Sequence, residues 1–184
     1  LLREQDRFDE AEELYRRVLA GRTRALGAQH KDTLTTMNNF ARVLNDRSKY
    51  DQAEPLFRAA LAGREQLFGP DHPRTLAAAT NLARVLKSLE RYEESEALLR
   101  RAVRGKEEKL GAAHRSTLAS VSYLAVTLKY MGRLDEARAI YEKALTYDDY
   151  RGLFFLRLAD IHIEQGAFDQ AHALYDRFAE RYPE

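Results

Sequence analysis

The chain has 184 residues, of which 30 are Lys or Arg and 29 are Asp or Glu, so its formal charge is +1 at pH 7. This balance gives no reason to expect nucleic-acid binding or an intrinsically disordered chain. Cysteine is absent, which excludes disulfide bonds, thiol nucleophiles and cysteine-ligated zinc. No apolar run is long enough to cross a bilayer and no signal peptide is evident, so we expect a cytoplasmic protein without membrane insertion.

A five-residue motif recurs along the chain at intervals of 42 residues. Its copies are Leu26–His30, Phe68–His72 and Leu110–His114, and each has glycine in second place and histidine in last place. A fixed period near 40 residues is typical of repeat proteins, in which similar units stack on one another. The whole chain is therefore predicted to be a single repeat array.

Each repeat is predicted to contain two amphipathic helices, named A and B, joined by a tight turn. A small residue lies near the start of each B helix, with large side chains three residues before it and four residues after it, so that all three share one helical face. These small residues are Ala11, Ala53, Ser95, Ala137 and Ala171. The last interval in this series is 34 residues instead of 42.

In chain order, the prediction is a partial first unit at 1–28, mainly its B helix, and then helix pairs at 30–69, 72–111, 114–147 and 150–183. Leu2 is in register with Leu44, near the end of an A helix. The sequence is therefore expected to begin inside a unit and to be a fragment of a longer protein. End-to-end packing is one way in which this open N-terminal end could be covered.

His30, His72 and His114 are candidates for metal ligands because their spacing is regular. Ligands must converge on one ion, however, and residues one repeat apart are displaced by roughly 20 Å along a stack of helix pairs. We therefore predict that each histidine closes its loop and caps the A helix that follows it. Neither a metal site nor a cofactor site is expected.

Gly21, Gly63 and Gly105 recur inside the predicted B helices. Glycine costs about 1 kcal/mol relative to alanine at such a position, so a repeated glycine needs a reason. Close packing against a neighbouring helix is the preferred interpretation, and a flexible hinge is the alternative.

The sequence of the last unit resembles the tetratricopeptide repeat (TPR), a 34-residue pair of helices. The matching residues are Leu158, Ala159, Gly166, Phe168, Ala171, Tyr175 and Pro183. The 42-residue units resemble the longer repeats of kinesin light chains, on the basis of the Leu-Gly-x-x-His motif, Asn38–Ala41 and Tyr50–Phe57. The resemblance implies an all-α fold, a right-handed α-solenoid of antiparallel helix pairs that forms a TPR superhelix. It also implies that the A helices line a concave groove.

No catalytic motif is present, and no glycine-rich loop has the pattern of a phosphate-binding or dinucleotide-binding site. The chain is therefore predicted not to be an enzyme. The resemblance implies a non-catalytic scaffold for protein–protein interaction. Two alternatives remain open: a structural subunit or spacer packed inside a large assembly, and a regulatory array attached to a catalytic or nucleotide-binding module elsewhere.

The predicted A helices carry an excess of positive charge. Residues 31–47, 73–89 and 115–131 contain eight basic and two acidic side chains, which gives these segments +6 and leaves −5 for the remainder. Such a groove would attract an extended acidic peptide, because arginine can bind a carboxylate with two hydrogen bonds. The residues predicted to bind it are Asn38, Asn39, Arg42, Asn45, Asn81, Arg84, Lys87 and Lys129. The alternative is that these side chains form ordinary solvated helix faces.

Overall fold

The computed structural model describes residues 2–147 and 152–182, and every regular element within these two ranges is an α-helix. The predicted all-α class is thus confirmed. The helices are α1 (Leu2–Leu26), α2 (Lys31–Asp46), α3 (Tyr50–Phe68), α4 (Pro73–Ser88), α5 (Tyr92–Leu110), α6 (Arg115–Tyr130), α7 (Leu134–Leu145), α8 (Leu153–Glu164) and α9 (Phe168–Arg181). Pro183 and the predicted start of the last pair at residues 150 and 151 lie outside the described residues.

The helices form two compact units, Leu1–Arg91 and Tyr92–Glu184. In the first, which we call unit 1, α1 packs against α2, α2 against α3 and α3 against α4, and the two A helices α2 and α4 also touch. In the second, unit 2, consecutive helices from α5 to α9 pack against each other. The cores consist of leucine, alanine and aromatic side chains that are fully buried, such as Leu44 and Leu86 in unit 1 and Leu128 in unit 2.

The three periodic histidines cap the A helices, as predicted. Nδ1 of His30 accepts a hydrogen bond from the backbone N–H of Asp32 at 3.2 Å. His72 and His114 accept the same bond from the residues two positions later, both at 3.1 Å. Each histidine therefore satisfies one of the backbone donors that the first turn of a helix leaves without an intrahelical partner.

The four turns between A and B helices that the structure describes all use one backbone conformation. Ser48, Glu90, Gly132 and Gly166 occupy the same repeat position, and their φ angles are 57°, 60°, 73° and 74°. This left-handed region suits glycine but is unfavourable for serine and glutamate. The turn geometry is thus set by the repeat and not by the residue that happens to occupy it.

The prediction that Leu2 belongs to an A helix is wrong. One continuous helix, α1, spans Leu2–Leu26 without a turn before Phe8. Arg3, Glu4 and Gln5 are good helix formers, so continuing the helix through them costs little free energy. The packing contact of α1 in the described residues is with α2.

Close packing explains Gly63, but not Gly21. A Cβ atom at Gly63 would lie 2.5 Å from Cδ2 of Leu34 on α2 and 2.6 Å from Oε1 of Gln29. At Gly21, no atom of the described residues would lie within 4 Å of an added Cβ. The interpretation of these glycines as close-packing positions is therefore right at Gly63 and wrong at Gly21.

We expect Gly63→Val to lower the free energy of unfolding by about 2 kcal/mol, because three new heavy atoms would displace the buried Leu34 side chain. Gly21→Val is the matched control, because it adds the same atoms to an open helix face. It should leave the stability unchanged to within about 0.5 kcal/mol or raise it slightly. Urea denaturation measures both variants, and equal effects would contradict the close-packing explanation.

Consecutive repeats are joined by a recurring ion cluster. Glu12, Glu54 and Glu96 lie 42 residues apart, and each accepts a hydrogen bond from a base 37 residues later. The bases are Lys49, Arg91 and Arg133, at 2.7, 2.6 and 2.6 Å. Each glutamate also pairs with an arginine one helical turn later, namely Arg16, Arg58 or Arg100. Every cluster thus ties a B helix to the end of the turn that follows the next A helix.

A second periodic base lies directly after each B-helix glycine and reaches the next A helix. Arg22, Arg64 and Lys106 donate to the carbonyl oxygens of Asp32, Arg74 and Ser116, each 10 residues later. Lys106 is 2% exposed, and its Nζ also donates to Oγ of Ser120 at 2.7 Å. Burial lowers the pKa of Lys106 to about 8. A lysine ammonium group is thus kept in the core by neutral hydrogen-bond acceptors.

Lys106 is expected to make the stability depend on pH near its folded pKa. Because that pKa of about 8 lies below the ordinary value of 10.5, the unfolded chain holds the proton more tightly, so stability should rise as pH increases between the two values. From about pH 8 to pH 9, the free energy of unfolding of the wild type should rise by about 1 kcal/mol more than that of Lys106→Met. Lys109→Met, which changes an exposed lysine on the same helix, should follow the wild type in urea denaturation at both pH values. If Lys106→Met also followed the wild type, burial of a titrating lysine would be excluded.

Candidate functional site

Seven of the eight predicted groove residues lie on the two adjacent A helices of unit 1. Asn38, Asn39, Arg42 and Asn45 are on α2, and Asn81, Arg84 and Lys87 are on α4. We call these seven residues the A-helix face of unit 1. Because α2 and α4 are in contact, residues of both helices can be reached by one extended ligand.

An amide pair joins the two helices in the middle of this face. Nδ2 of Asn81 donates to Oδ1 of Asn38 at 3.0 Å. Asn38 is buried, with 7% of its surface exposed, and Asn81 is half-buried. The bond holds the Asn81 side chain in place and leaves its Oδ1 available as an acceptor for the backbone N–H of a ligand. Asn38 is thus a positioning residue more than a contact residue.

The arginines occupy the same position in consecutive repeats. Arg42 is exposed on α2, and in the described part of the chain no carboxylate lies within ion-pair distance of it. Arg84 and Lys87 are half-buried on α4. The helix α4 has three basic residues, with Arg74 at its start, and no acidic residue. The face is therefore positively charged, and no acidic residue of α4 offsets this charge.

The two remaining asparagines of the face are less accessible to a ligand than Arg42 is, and one of them contacts a neighbouring side chain. Asn39 and Asn45 are half-buried on α2. Nδ2 of Asn45 approaches Oδ1 of Asp46 at 3.4 Å, which is a weak contact. Asp46 is exposed, and it is the acidic side chain closest in sequence to the face.

Lys129 does not belong to unit 1, because it lies on α6 in unit 2. Its Nζ is 2.6 Å from Oε1 of Glu164 on α8. An acidic ligand at Lys129 would have to compete with this carboxylate. In the next A helix, the stripe at the corresponding positions is Leu156, Asp160 and Ile163, so the basic character ends there.

Unit 2 contains a cavity that spacing alone does not reveal. It has a volume of about 590 Å³ between α7, α8 and α9, and its lining includes Leu158, His162 and Leu174. His162 is 8% exposed, and its Nδ1 has no hydrogen-bond partner among the described residues. It occupies the repeat position at which Leu44, Leu86 and Leu128 are buried. A histidine in place of a repeated leucine is therefore the feature of the sequence that could have indicated this cavity.

Membrane-spanning helices and metal sites are not found in the described residues. No helix within 2–147 and 152–182 is long and apolar enough to cross a membrane. The same residues contain no group of three or more His, Cys, Asp or Glu side chains arranged to hold a metal ion.

Family models described as tetratricopeptide repeat match most of the sequence. One matches residues 1–66, 40–108 and 85–149, and a second matches 129–184. No curated protein matches the sequence.

Several solved structures are similar in fold. The nearly identical TPR-like repeats of a Podosopora anserina protein described as a kinesin light chain have a TM-score of 0.86 at 22% identity, over 98% of this chain and 92% of that chain. BtubC (BKLC) from P. vanneervenii has a TM-score of 0.84 at 21% identity, over 97% and 74%. MamA from Desulfovibrio magneticus RS-1 has a TM-score of 0.65 at 16% identity, over 92% and 93%.

Proposed function

Because the chain belongs to the tetratricopeptide repeat family, we propose that it is a non-catalytic scaffold that binds an extended acidic peptide on the A-helix face of unit 1. The predicted α-solenoid of the kinesin-light-chain-like type agrees with the structural neighbours at the level of fold. Repeats of this family generally serve protein–protein interaction. The acidic nature of the ligand and its position are our own inference.

The single observation that supports the proposal is the exposed Arg42 guanidinium on a face rich in positive charge. Arg42 has no carboxylate partner in the described residues, and Arg84 lies at the same position of the next repeat. Two guanidinium groups on adjacent helices suit two carboxylates of an extended chain, since each can donate a pair of parallel hydrogen bonds.

The amide pair supplies the second part of the recognition. Asn81 is held by Asn38 and keeps one acceptor for a ligand N–H. A fixed amide costs little conformational entropy when it binds, so it favours a ligand whose backbone is already extended. The arginines would then select acidic side chains, while the amides would bind the backbone regardless of sequence.

Titration of labelled peptides tests the proposal directly. Three sets of equal length, acidic, neutral and basic, are added to the 184-residue chain, and fluorescence anisotropy is followed at two salt concentrations. We expect binding of the acidic set only, with an affinity that falls as salt is raised. Equal binding of all three sets, or binding that is independent of salt, would overturn the proposal.

A structural role as a spacer inside a large assembly is the second candidate function. The observation that favours it is the exposure of large apolar side chains on the first and last described helices, such as Leu14 on α1 and Phe168 on α9. Such surfaces are usual where another protein surface packs. A spacer of this kind would need both helices to be covered, whereas peptide binding needs only the A-helix face of unit 1.

A further inference from the structure

The cavity in unit 2 has the size and the mixed lining of a binding site for a small molecule. Its volume of about 590 Å³ is within the range of about 300–1,000 Å³ that is usual for such sites. The apolar part of its lining is Leu145, Leu158, Ala173 and Leu174. Its walls come from three consecutive helices, α7, α8 and α9, so the cavity is formed entirely by unit 2.

The cavity lies beside the end of the shortest B helix in the described residues. Helix α7 has 12 residues, whereas α3 and α5 each have 19. In the two longer helices, Arg64 and Lys106 come from the additional turns and donate to the A helix that follows. Helix α7 ends before the corresponding position, and its last residue, Leu145, lines the cavity together with Thr146. The cavity thus accompanies the change from the 42-residue repeat to the 34-residue repeat.

A buried histidine lines this cavity where the other repeats have leucine. His162 is 8% exposed, and its Nδ1 has no hydrogen-bond partner among the described residues. Leu44, Leu86 and Leu128 occupy the same repeat position with side chains that need no such partner. A buried polar atom without a partner costs free energy, so its presence needs a specific reason. Because the imidazole can rotate about its Cβ–Cγ bond, either ring nitrogen can be turned towards an occupant of the cavity.

The lining also contains an arginine whose charge is not neutralised by an acid of the described residues. The guanidinium of Arg177 lies 5.3 Å from the centre of the Phe155 ring, and in the described ranges no carboxylate is within ion-pair distance of it. Asp176, the next residue in the other direction along α9, approaches Nε2 of His172 at 3.9 Å instead. Asp169 is in the first turn of α9, where its charge is favourable to the helix dipole.

The acid of the lining is close to a base of its own helix. Oε1 of Glu142 lies 4.0 Å from Nε of Arg138 on α7. Lys143, the residue after Glu142, lies outside the lining, and its Nζ is 3.8 Å from Oε1 of Glu107. With these charges offset within the chain, the cavity is complementary to an apolar group that carries one negative charge.

We propose that the cavity in unit 2 binds a small free carboxylate with an aliphatic chain. The chain would lie against the leucines of the lining, and the carboxylate would accept hydrogen bonds from the guanidinium of Arg177. The same carboxylate would give the imidazole of His162 a hydrogen-bond partner, which it lacks in the described residues. The C-terminal residue of a peptide presents similar chemistry, so the test includes both sources.

Octanoate is the first probe, and octylamine and octanol are matched compounds with the same chain length. An NMR titration of the 184-residue chain follows the methyl signals of Leu158 and Leu174 and the imidazole signals of His162. We expect octanoate to shift all of them and to bind at least about 10-fold more tightly than the two matched compounds. Equal affinity for the three compounds, or no shift at His162 on saturation, would overturn the proposal. A peptide with a free C-terminal leucine that binds more tightly than octanoate would also contradict it.

Arg177→Gln tests the recognition of the carboxylate. It removes the charge from an exposed position of α9, and octanoate should bind at least about 10-fold more weakly. Arg181→Gln is the matched control, because Arg181 is an exposed arginine one turn later that does not line the cavity. It should change the affinity less than about threefold, since exposed charges at a distance are screened. Circular dichroism checks that both variants fold, and equal weakening by both would contradict binding in the cavity.

His162→Leu separates a binding role from a packing role. Leucine is the buried residue at this position in the other repeats and has no polar atom, so the midpoint of thermal unfolding should rise. The affinity for octanoate should nevertheless fall at least about fivefold, because the imidazole donor is lost. A histidine that only filled space would not produce these opposite effects, and an unchanged affinity for octanoate would contradict the proposal.

These outcomes are independent of acidic-peptide binding. None of the three variants changes a residue of the A-helix face of unit 1. Failure of octanoate to bind therefore leaves the proposed function intact, and failure of acidic peptides to bind leaves the cavity site intact.

Discussion

Glu12→Ala is expected to lower the free energy of unfolding by about 2 kcal/mol, because it removes a buried carboxylate that accepts hydrogen bonds from three partly exposed cations. Glu12 is 6% exposed and accepts hydrogen bonds from Arg16, Arg47 and Lys49 at 2.9, 2.8 and 2.7 Å. Without it, Lys49 would lose this partner where α1 meets the turn before α3, while Arg47 and Arg16 would keep only Asp9 and Glu13. Thermal or urea denaturation measures the loss.

Glu13→Ala is the matched control, because Glu13 is the neighbouring residue of the same type on the same helix. It is exposed and pairs only with Arg16 among the described residues. Its removal should cost less than about 0.5 kcal/mol, as is usual for a surface ion pair. Similar losses for Glu12→Ala and Glu13→Ala would contradict a structural role for the cluster.

The clusters should also make the fold sensitive to acid. The hydrogen bond from Lys49 lowers the pKa of Glu12 despite its burial. Burial opposes the same change at Glu96, but hydrogen bonds from Arg100 and Arg133 outweigh it and lower that pKa as well. A lowered carboxyl pKa contributes stability above the ordinary value of 4.5 and loses it as pH falls through the folded value. Glu12→Gln should therefore show a shallower loss of stability below about pH 4.5 than the wild type does.

Arg42→Glu/Arg84→Glu is expected to weaken binding of an acidic peptide at least about 30-fold, because two charge-assisted contacts become repulsive. Arg42 is exposed and Arg84 is half-buried, and circular dichroism checks that the double variant keeps its helical fold. The double variant should also gain affinity for basic peptides, which a merely damaged surface would not. Fluorescence anisotropy with both peptide sets measures the exchange of preference.

Arg17→Glu/Arg24→Glu serves as the control for this exchange. It makes the same change in net charge on α1, away from the A-helix face of unit 1. Binding of the acidic peptide should change less than about threefold, since exposed charges at a distance are screened. Equal weakening by both double variants would mean that net charge, and not the A-helix face, attracts the peptide.

Local sequence pattern was sufficient to predict the repeats, the helix pairs and the histidine caps. Capping depends on a side chain and a backbone N–H two residues apart, so it follows from the sequence of one loop, as at His72 and Arg74. The ion clusters were missed, although Glu12, Glu54 and Glu96 recur with the same period. Their partners lie 37 residues away, and the meeting of the two groups depends on how each B helix packs against the A helix that follows it.

The candidate site was only partly predictable for a similar reason. Helical spacing places Asn38 on the stripe with Arg42, but its burial follows from the contact of α2 with α4 and from the bond to Asn81. Spacing also groups Lys129 with the other bases, whereas its rotamer pairs it with Glu164 in unit 2. Exposure and ion pairing depend on side chains from other helices, which a one-dimensional pattern does not contain.

The most direct test of peptide binding by the A-helix face of unit 1 is an NMR titration that follows side-chain signals of the assigned protein. We predict that an acidic peptide shifts the side-chain amide signals of Asn38 and Asn81 and the guanidinium signals of Arg42 and Arg84. The amide of Gln170, which lines the cavity in unit 2, should remain unchanged. Shifts confined to residues outside α2 and α4, or no shift at Asn81 on saturation, would contradict binding at this face.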